Sequence, residues 1–391
     1  MFCVFKGEIK MKRKAVAGLL ILCLTSALAG CGKDTEASDS TDGTKTTPEV
    51  TEEPKKEEAE PTEEPEEEEQ QIALPENQDL VTDYTSVEGI TLEAGTHIAL
   101  VGQNLSTGYW SAVKEGAQQA VADLNEKLEF TSKEDKIKLT FEGTDTDADV
   151  ATQINTIDAV LAENPDVLCI SAIDMDSCKA QIETARENGI PVVILDSGIA
   201  GENELSVCAT DNTAVGAEAA RHMSEAVGGN GKVLIASHQE STQTSVDRIN
   251  GFRNELAASS PSVTADTVIY ETKEKSITDQ LMEALETSAD LKGIFCTNEE
   301  ITCTVLNALK DVENAPIVIG VDAGKEVQAA IENGTLYGTV CQNPYGMGYA
   351  TIVMAGRAAA GLPNSQFVDS GFQWLDASNI DAEENQKYFY K

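Results

Sequence analysis

The sequence predicts an α/β fold made of two lobes, each built on a doubly wound, Rossmann-like parallel sheet. Short apolar runs alternate with stretches of helical periodicity, in two consecutive series of about a hundred residues each. Polar side chains directly follow several of the apolar runs. In the clearest run, residues 191–195 are too few for an isolated helix and too continuously apolar for a half-exposed strand, so they predict a strand buried on both faces.

The first thirty residues are predicted to be a secretory signal peptide. Basic residues at 12–14 precede an apolar segment at 15–27, which is shorter than the roughly 18 residues that a membrane span needs. Translation can start at Met1 or at Met11, and the sequence leaves this choice open.

The signal segment closes with the letters LAGC, which resemble the lipobox of bacterial lipoproteins. We therefore expect Cys31 to carry lipid after cleavage. Lipid at Cys31 anchors an exported protein to the outer face of the cell membrane, or its periplasmic side, without a membrane span. The alternative is an ordinary signal peptide followed by an incidental cysteine.

After the lipidated cysteine, residues 31–80 are predicted to form an acidic, disordered linker. They are rich in Glu, Thr, Ser and Pro, a composition that buries too little apolar surface to offset the entropy of ordering. Like charges along the segment repel one another and extend it. An acidic interaction tail is the alternative. The whole chain has a net charge of −39, which argues against nucleic acid as a partner.

From residue 97 onward the chain alternates between predicted strands and helices. In the first series, strands are predicted at 97–101, 137–141, 167–170 and 191–195, with helices at 108–124, 150–161 and 178–187. In the second series, strands are predicted at 207–209, 232–236, 263–270, 293–296 and 317–321, with helices at 214–226, 246–257, 277–285, 301–309 and 327–331.

No metal site or disulfide framework is expected in this body. Its six cysteines have neither CxxC nor metal-ligand spacing, so we predict free thiols, although an exported protein could oxidise one pair. Asp145, Asp147 and Asp149 alternate as calcium ligands do, but the glycine and distal glutamate of an EF-hand loop are missing. We therefore predict that this segment caps a helix N-terminus.

Polar residues follow the predicted strands at positions that belong to the carboxyl edge of a sheet. Asp196, Asn298, Asp322 and Gln342 stand directly after, or one residue beyond, apolar runs. In open α/β sheets this edge is where ligands bind, so both lobes are expected to present these side chains to one shared crevice. Carboxylates, amides and aromatic rings suit a polyhydroxylated ligand, whose hydroxyl groups hydrogen-bond and whose C–H faces stack.

Several local patterns, in the same order along the chain, resemble the type I periplasmic binding proteins, in particular the ribose/galactose-type substrate-binding proteins of ABC transporters. The resemblance covers roughly residues 95–375. The patterns are YWSAVKEGA, ENGIPVVILDSG, DRINGF, CTNEE, IGVDAG and TVCQNPYGMG.

The resemblance implies two lobes joined by a three-crossing hinge, with crossings near Asp211, Gln342 and Phe372. The N-terminal lobe would comprise residues 95–210 and 343–372, and the C-terminal lobe residues 211–342 and 373–391. It also implies a ligand-binding set in the cleft between them: Thr107, Tyr109, Trp110, Asp196, Ser197, Arg248, Asn298, Asp322 and Gln342.

Two departures from the family pattern bear on the ligand. Ribose binders usually carry Arg where Ser197 stands, and Asn-Pro where Thr107 and Gly108 stand. Each change removes a strong hydrogen-bonding group, so the resemblance leaves the fold and transport role intact but not the identity of the sugar. A ligand smaller, less polar or differently shaped from ribose fits the loss of Arg.

The function that the resemblance implies is capture of a small polar solute, most simply a sugar, by a monomeric lipoprotein that delivers it to an ABC transporter permease without a cofactor. The alternatives are a ligand sensor coupled to a membrane receptor or kinase, and a binder of a nucleoside or furanosyl signal. An enzyme is disfavoured, since no G-x-S-x-G, phosphate-binding glycine loop or H-E-x-x-H occurs. A sugar-responsive repressor is disfavoured because a signal segment and an acidic linker stand where its helix-turn-helix would be.

Overall fold

A computed structural model describes residues 83–146 and 149–390 of the chain, all within one compact unit, Leu74–Lys391. The predicted signal peptide, Cys31 and the acidic linker lie outside the described residues. Within the described part, no helix is both long and apolar enough to cross a membrane.

The described chain alternates between strands and helices, as the sequence predicts. The first half contains β1 His97–Asn104, α1 Gly108–Lys127, β2 Lys138–Thr144, α2 Val150–Leu161, β3 Val167–Ile170, α3 Lys179–Glu187, β4 Val192–Leu195 and β5 Ser206–Ala209. The second half contains α4 Asn212–Ala226, β6 Gly231–Ser237, α5 Gln243–Ser259, β7 Val263–Thr264, β8 Val268–Tyr270, α6 Ile277–Thr287, β9 Leu291–Cys296, α7 Glu299–Leu309, β10 Ile317–Val321, α8 Lys325–Glu332 and β11 Gly338–Gln342. The chain ends with α9 Pro344–Ala359, β12 Phe367–Asp369, β13 Phe372–Asp376 and a 3-10 helix at Glu383–Tyr388.

Two sheets form the two lobes, which confirms the predicted fold class. The first sheet has the order β12-β5-β4-β3-β1-β2 and all its pairs are parallel. Its central strands β1, β3 and β4 are buried at every position, because helices cover both faces of the sheet. The second sheet has the order β13-β11-β10-β9-β6-β7, and β8 also pairs with β6.

Two details of the second sheet differ from the prediction. The single strand expected at 263–270 is split into β7 and β8, which pair with different parts of β6. β13 runs antiparallel to β11. Both sheets direct the carboxyl ends of their parallel strands toward the cleft, and only residues 370–371 separate β13 from β12. β13 therefore begins at the cleft side of the second sheet, where the parallel strands end, and it must run antiparallel to β11.

Helix N-termini are capped by the residue types that the sequence places there. Asp149 caps α2 by accepting a hydrogen bond from the Thr152 backbone N–H at 2.9 Å, in line with the predicted capping role of this acidic segment. Asp147 lies outside the described residues.

Three short segments connect the lobes, and hydrogen bonds hold them side by side. They are residues 210–211, residue 343 and residues 370–371. The hydroxyls of Thr210 and Ser370 are 3.1 Å apart, and the Asn343 amide nitrogen donates to the Ser370 carbonyl oxygen at 3.3 Å. This arrangement forms a hinge of three adjacent strands of chain.

Each lobe contains a pair of helices that touch through their backbones at glycine. In the second lobe, a Cβ added to Gly251 of α5 would lie 2.1 Å from the Thr213 carbonyl oxygen on α4, and one added to Gly216 would lie 2.1 Å from the Arg248 carbonyl oxygen. Gly116 of α1 and Gly348 of α9 make the equivalent approach in the first lobe. Only glycine permits this separation between the helices.

We expect Gly251→Ala to lower Tm by a few degrees, because α4 and α5 must separate to admit the methyl group. Overpacking of about 1–3 kcal/mol outweighs the gain of about 1 kcal/mol that alanine brings to a helix interior. Gly356→Ala in α9 is the matched control, since its nearest neighbour is the movable Ile90 side chain at 3.3 Å. Equal thermal unfolding curves for Gly251→Ala and the wild type would contradict this account.

Candidate functional site

Two aspartates occupy equivalent strand ends in the two lobes. Asp196 follows β4 with φ 61°, and Asp322 follows β10 with φ 77°. The backbone N–H of each aspartate continues the hydrogen bonding of its sheet. Asp196 donates to the Cys208 carbonyl oxygen on β5 at 2.8 Å, and Asp322 donates to the Val340 carbonyl oxygen on β11 at 2.9 Å. The left-handed conformation is uncommon for residues other than glycine, although aspartate tolerates it. This backbone conformation turns the chain directly after the last hydrogen bond of the strand. The side chains of both aspartates line one cleft between the lobes.

The first-lobe wall of the cleft is built at the start of α1. The Thr107 hydroxyl caps α1 by accepting from the Trp110 N–H at 3.4 Å. The rings of Tyr109 and Trp110 meet edge to face, with centroids 5.7 Å apart. The Tyr109 hydroxyl donates to Asp196 Oδ1 at 3.0 Å. Aromatic surface and a carboxylate are thus joined in one rigid group.

Arg248 is the cation of the cleft and is only 3% exposed. From α5 its Nε donates to Asn212 Oδ1 at 2.8 Å, and its Nη1 donates to the Thr297 carbonyl oxygen at 2.6 Å. Its neighbours on α5 have other partners, since Asp247 accepts from Gln243 Nε2 and Glu255 pairs with Arg221. Both recorded partners of Arg248 are neutral, so further N–H donors remain for the cleft, which this side chain lines.

Gln342, the last residue of β11 before the hinge, contacts Asp322 directly and is linked to Asp196 through the Tyr109 hydroxyl. Its Nε2 donates to Asp322 Oδ1 at 2.8 Å, and its Oε1 lies 3.4 Å from the Tyr109 hydroxyl. Asp322 does not cap α8, whose N-cap residue is Gly324. Tyr109, Asp196, Gln342 and Asp322 thus form a chain of hydrogen-bonding groups that crosses from one lobe to the other.

Asn298 caps α7 and faces the cleft at the same time. Its Oδ1 accepts from the Ile301 N–H at 3.0 Å, which fixes the amide and leaves its Nδ2 donors for the cleft that it lines. The structural and ligand-binding interpretations of this residue are compatible, because they use different atoms of one amide.

Ser197, which the resemblance places in the binding set, does not line the cleft. It is fully buried, and its hydroxyl has no hydrogen-bond partner among the described residues. The turn at Asp196, closed by the Ser197 N–H on Leu195 O at 2.7 Å, directs consecutive side chains to different sides. The other eight predicted residues all line the cleft.

Seven further residues line the cleft that the sequence did not single out: Gln103, Asn104, His238, Thr244, Glu299, Glu300 and Tyr390. Gln103 and Asn104 end β1, and Glu299 and Glu300 follow Asn298, so adjacency to predicted residues was an available signal. His238 follows β6 at the position that matches those strand ends. Tyr390 belongs to no motif, and nothing in its local sequence indicates this position.

Burial governs the protonation of the cleft groups. It raises the pKa of Asp196 and of Asp322, while the guanidinium of Arg248 opposes the shift in both cases. Burial and Arg248 together lower the pKa of His238 to about 3, so its imidazole is neutral and shares a 2.9 Å hydrogen bond with the Thr297 hydroxyl. The cleft therefore offers carboxyl groups, one guanidinium and neutral donors, and most of these side chains are buried.

The cleft is small. It contains about 540 Å³ of atom-free space, part of it open to solvent. Within the residues that the structure describes, no group of three or more His, Cys, Asp or Glu is arranged to hold a metal ion. The dimensions and lining suit a single small polar solute.

The six cysteines of the body are all free in the described structure. Burial raises the pKa of the Cys169, Cys208 and Cys296 thiols well above the usual range. These side chains pack as small apolar groups.

Comparisons with known proteins identify relatives of this fold. The family model described as a periplasmic binding protein domain matches residues 98–363. The ribose import binding protein of Haemophilus influenzae is 26% identical over 266 residues, which span 68% of this chain and 86% of that protein. A solute-binding protein of an ABC transporter from Agrobacterium vitis, crystallised with D-fucose, is 27% identical with a TM-score of 0.68, covering 75% of this chain and 100% of that one. The periplasmic component of a sugar transport system from Hahella chejuensis is 25% identical with a TM-score of 0.64, covering 72% and 99%.

Proposed function

Because this chain belongs to the periplasmic binding protein family, we propose that it binds one small polyhydroxylated solute, most simply a monosaccharide, between its lobes. The observation that carries the proposal is the hydrogen-bonding chain from Tyr109 and Asp196 to Gln342 and Asp322, with the Arg248 guanidinium beside it. Carboxylates and a guanidinium bind pairs of hydroxyl groups, and the Tyr109 and Trp110 rings receive the C–H face of a sugar.

Binding and release require the lobes to separate, because contacts join them beside the cleft. The Met175 N–H donates to the Ser241 carbonyl oxygen at 2.9 Å, and the Thr242 hydroxyl donates to the Ile173 carbonyl oxygen at 2.9 Å. A solute favours the closed form only through contacts that the open form lacks. Hydrogen bonds from both lobes to one solute meet that requirement.

The test is a ligand screen of the full chain by thermal shift, followed by calorimetry. The panel contains pentoses, hexoses, polyols, nucleosides and furanosyl signalling molecules. We expect at least one monosaccharide to raise Tm by several degrees at millimolar concentration and to be recovered unchanged after incubation. A response to nucleosides or furanosyl signals alone would replace the sugar assignment, and a chemically altered sugar would contradict a pure binding role.

We further propose that the protein works as a monomer anchored by lipid on Cys31 and delivers its solute to an ABC transporter permease. The family membership and the N-terminal sequence support this proposal. Cys31→Ala is expected to move the protein from the membrane fraction to the soluble exported fraction. Unchanged membrane association of that variant would exclude lipid on Cys31 as the anchor.

A further inference from the structure

The C-terminal residues of the described chain return to the cleft. After the 3-10 helix, Tyr390 is buried, being only 7% exposed, and it lines the cleft. Its ring meets the Tyr109 ring edge to face, with centroids 6.1 Å apart and planes at 83°. Its hydroxyl donates to Glu299 Oε2 at 2.6 Å. Tyr390 therefore joins an aromatic ring of one lobe to an acid of the other.

Glu299 occupies the first turn of α7, and among the described residues it forms no ion pair with Lys, Arg or His. The titratable groups that interact with it are acidic or neutral: Asp322 after β10, Glu326 on α8, Cys303 on its own helix, Cys341 on β11, and Tyr390. A Cβ added to Gly324 would lie 1.8 Å from Glu299 Oε1, so the carboxyl group packs directly on the backbone after Asp322. Packing and the tyrosine bond fix its orientation.

The protonation of Glu299 changes near neutrality. Burial raises its pKa to about 7, Asp322 and Glu326 add to the rise, and the Tyr390 hydroxyl opposes it. Because the pKa in the folded state lies above the ordinary value of 4.5, this group stabilises the fold most at low pH. That contribution is lost as the pH rises through about 7.

We propose that Glu299 and Tyr390 form a further subsite of the cleft, which accepts a hydroxyl or ammonium donor of the ligand and rejects anionic substituents. This inference rests on the proposed sugar-binding function. Glu299 retains acceptor capacity beyond its bond to Tyr390, and the Tyr390 ring adds apolar surface to the cleft beside the Tyr109 ring that it contacts. Four acids line the cleft, Asp196, Asp322, Glu299 and Glu300, against the single guanidinium of Arg248. An anionic substituent of the ligand in this subsite is repelled by the ionised acids of the cleft. Arg248 is the one cation of the cleft lining that attracts it.

The ligand series that tests the subsite consists of D-galactose, D-galactosamine and D-galacturonate, and the matching D-glucose, D-glucosamine and D-glucuronate. For the wild-type full chain in calorimetry at pH 8, where Glu299 is mostly ionised, we expect the neutral or amino member of a series to bind at least tenfold more tightly than its uronate. Equal affinity for a neutral sugar and its uronate would overturn the subsite.

Variants of Tyr390 and Glu299 measure what the subsite contributes to affinity, separately from the rest of the cleft. Tyr390→Ala is expected to weaken binding of the neutral sugar about tenfold, since it removes the aromatic surface and the Glu299 contact. Tyr390→Phe keeps the ring, and we expect a smaller loss of affinity and a higher pH for the Glu299 transition. Glu299→Gln is expected to narrow the gap between the neutral sugar and its uronate at least fivefold. Tyr388→Phe and Glu332→Gln, which lie outside the cleft, are the controls.

A readout without ligand completes the test. We expect Glu299→Gln to raise Tm at pH 8 by several degrees relative to the wild type, and to give no gain at pH 5, where Glu299 is already protonated. A wild type that binds sugars, with Tyr390→Ala and Glu299→Gln indistinguishable from it, overturns the subsite alone. A wild type that binds no monosaccharide of the wider screen overturns the sugar proposal together with the subsite.

Discussion

Arg248→Met is expected to weaken solute binding about 100-fold or more. The substitution keeps most of the apolar length of the side chain but removes the cation that offsets burial of Asp196 and Asp322. Removing one partner from a buried set of charges costs about 3–5 kcal/mol, and about 1.4 kcal/mol corresponds to a tenfold change. Calorimetry with the sugar identified by the screen measures the effect.

The matched control for Arg248 is Arg253→Met on the same helix. Arg253 donates to the backbone oxygens of Ala265 and Asp266 at 2.8 Å, away from the cleft. Its variant is expected to bind sugar with wild-type affinity. Arg248→Lys keeps the charge but not the planar fork, so an intermediate affinity is expected. Affinity of Arg248→Met within threefold of the wild type would remove this arginine from the binding set.

Asp196→Ala is expected to weaken binding at least tenfold and also to lower Tm, whereas Asp196→Asn should lose affinity with little loss of stability. Asparagine tolerates the left-handed backbone at this position, φ 61°, and can still accept the Tyr109 hydroxyl. Alanine loses that bond and adds roughly 1 kcal/mol of backbone strain. Comparing the two variants separates the effect of the carboxylate charge on affinity from the effect of the left-handed backbone on stability.

An exposed left-handed residue outside the cleft supplies the control for Asp196. Asn314 has φ 55°, and Asn314→Ala introduces the same backbone strain far from any cleft residue. It is expected to lower Tm slightly and to leave affinity unchanged. If Asp196→Asn binds as tightly as the wild type, the carboxylate charge has no part in binding.

The sequence predicts most of the fold because strands that are buried on both faces of a sheet have continuous apolar sequences. Strands β1, β3 and β4 are continuous apolar runs, and Asp196 and Asp322 follow such runs immediately. Prediction fails where geometry depends on distant contacts. The direction of β13 depends on which side of the second sheet the chain enters, and the position of Ser197 depends on the turn at Asp196. Tyr390 reaches the cleft only through the packing of the C-terminal segment, which has no periodic pattern of its own.

The three-segment hinge also determines the order in which the protein can fold. The first lobe needs α9, whose Met347, Ile352 and Val353 fill its core, and β12, which completes its sheet. Both elements follow the whole of β6 to β11 along the chain. Whenever the chain emerges N-terminus first, in synthesis or in export, part of the core of the first lobe therefore stays uncovered until the residues of the second lobe have followed. Neither half of the molecule can mature alone as one contiguous fragment, and a chain cut after Gln342 is left with an unfinished and aggregation-prone first lobe.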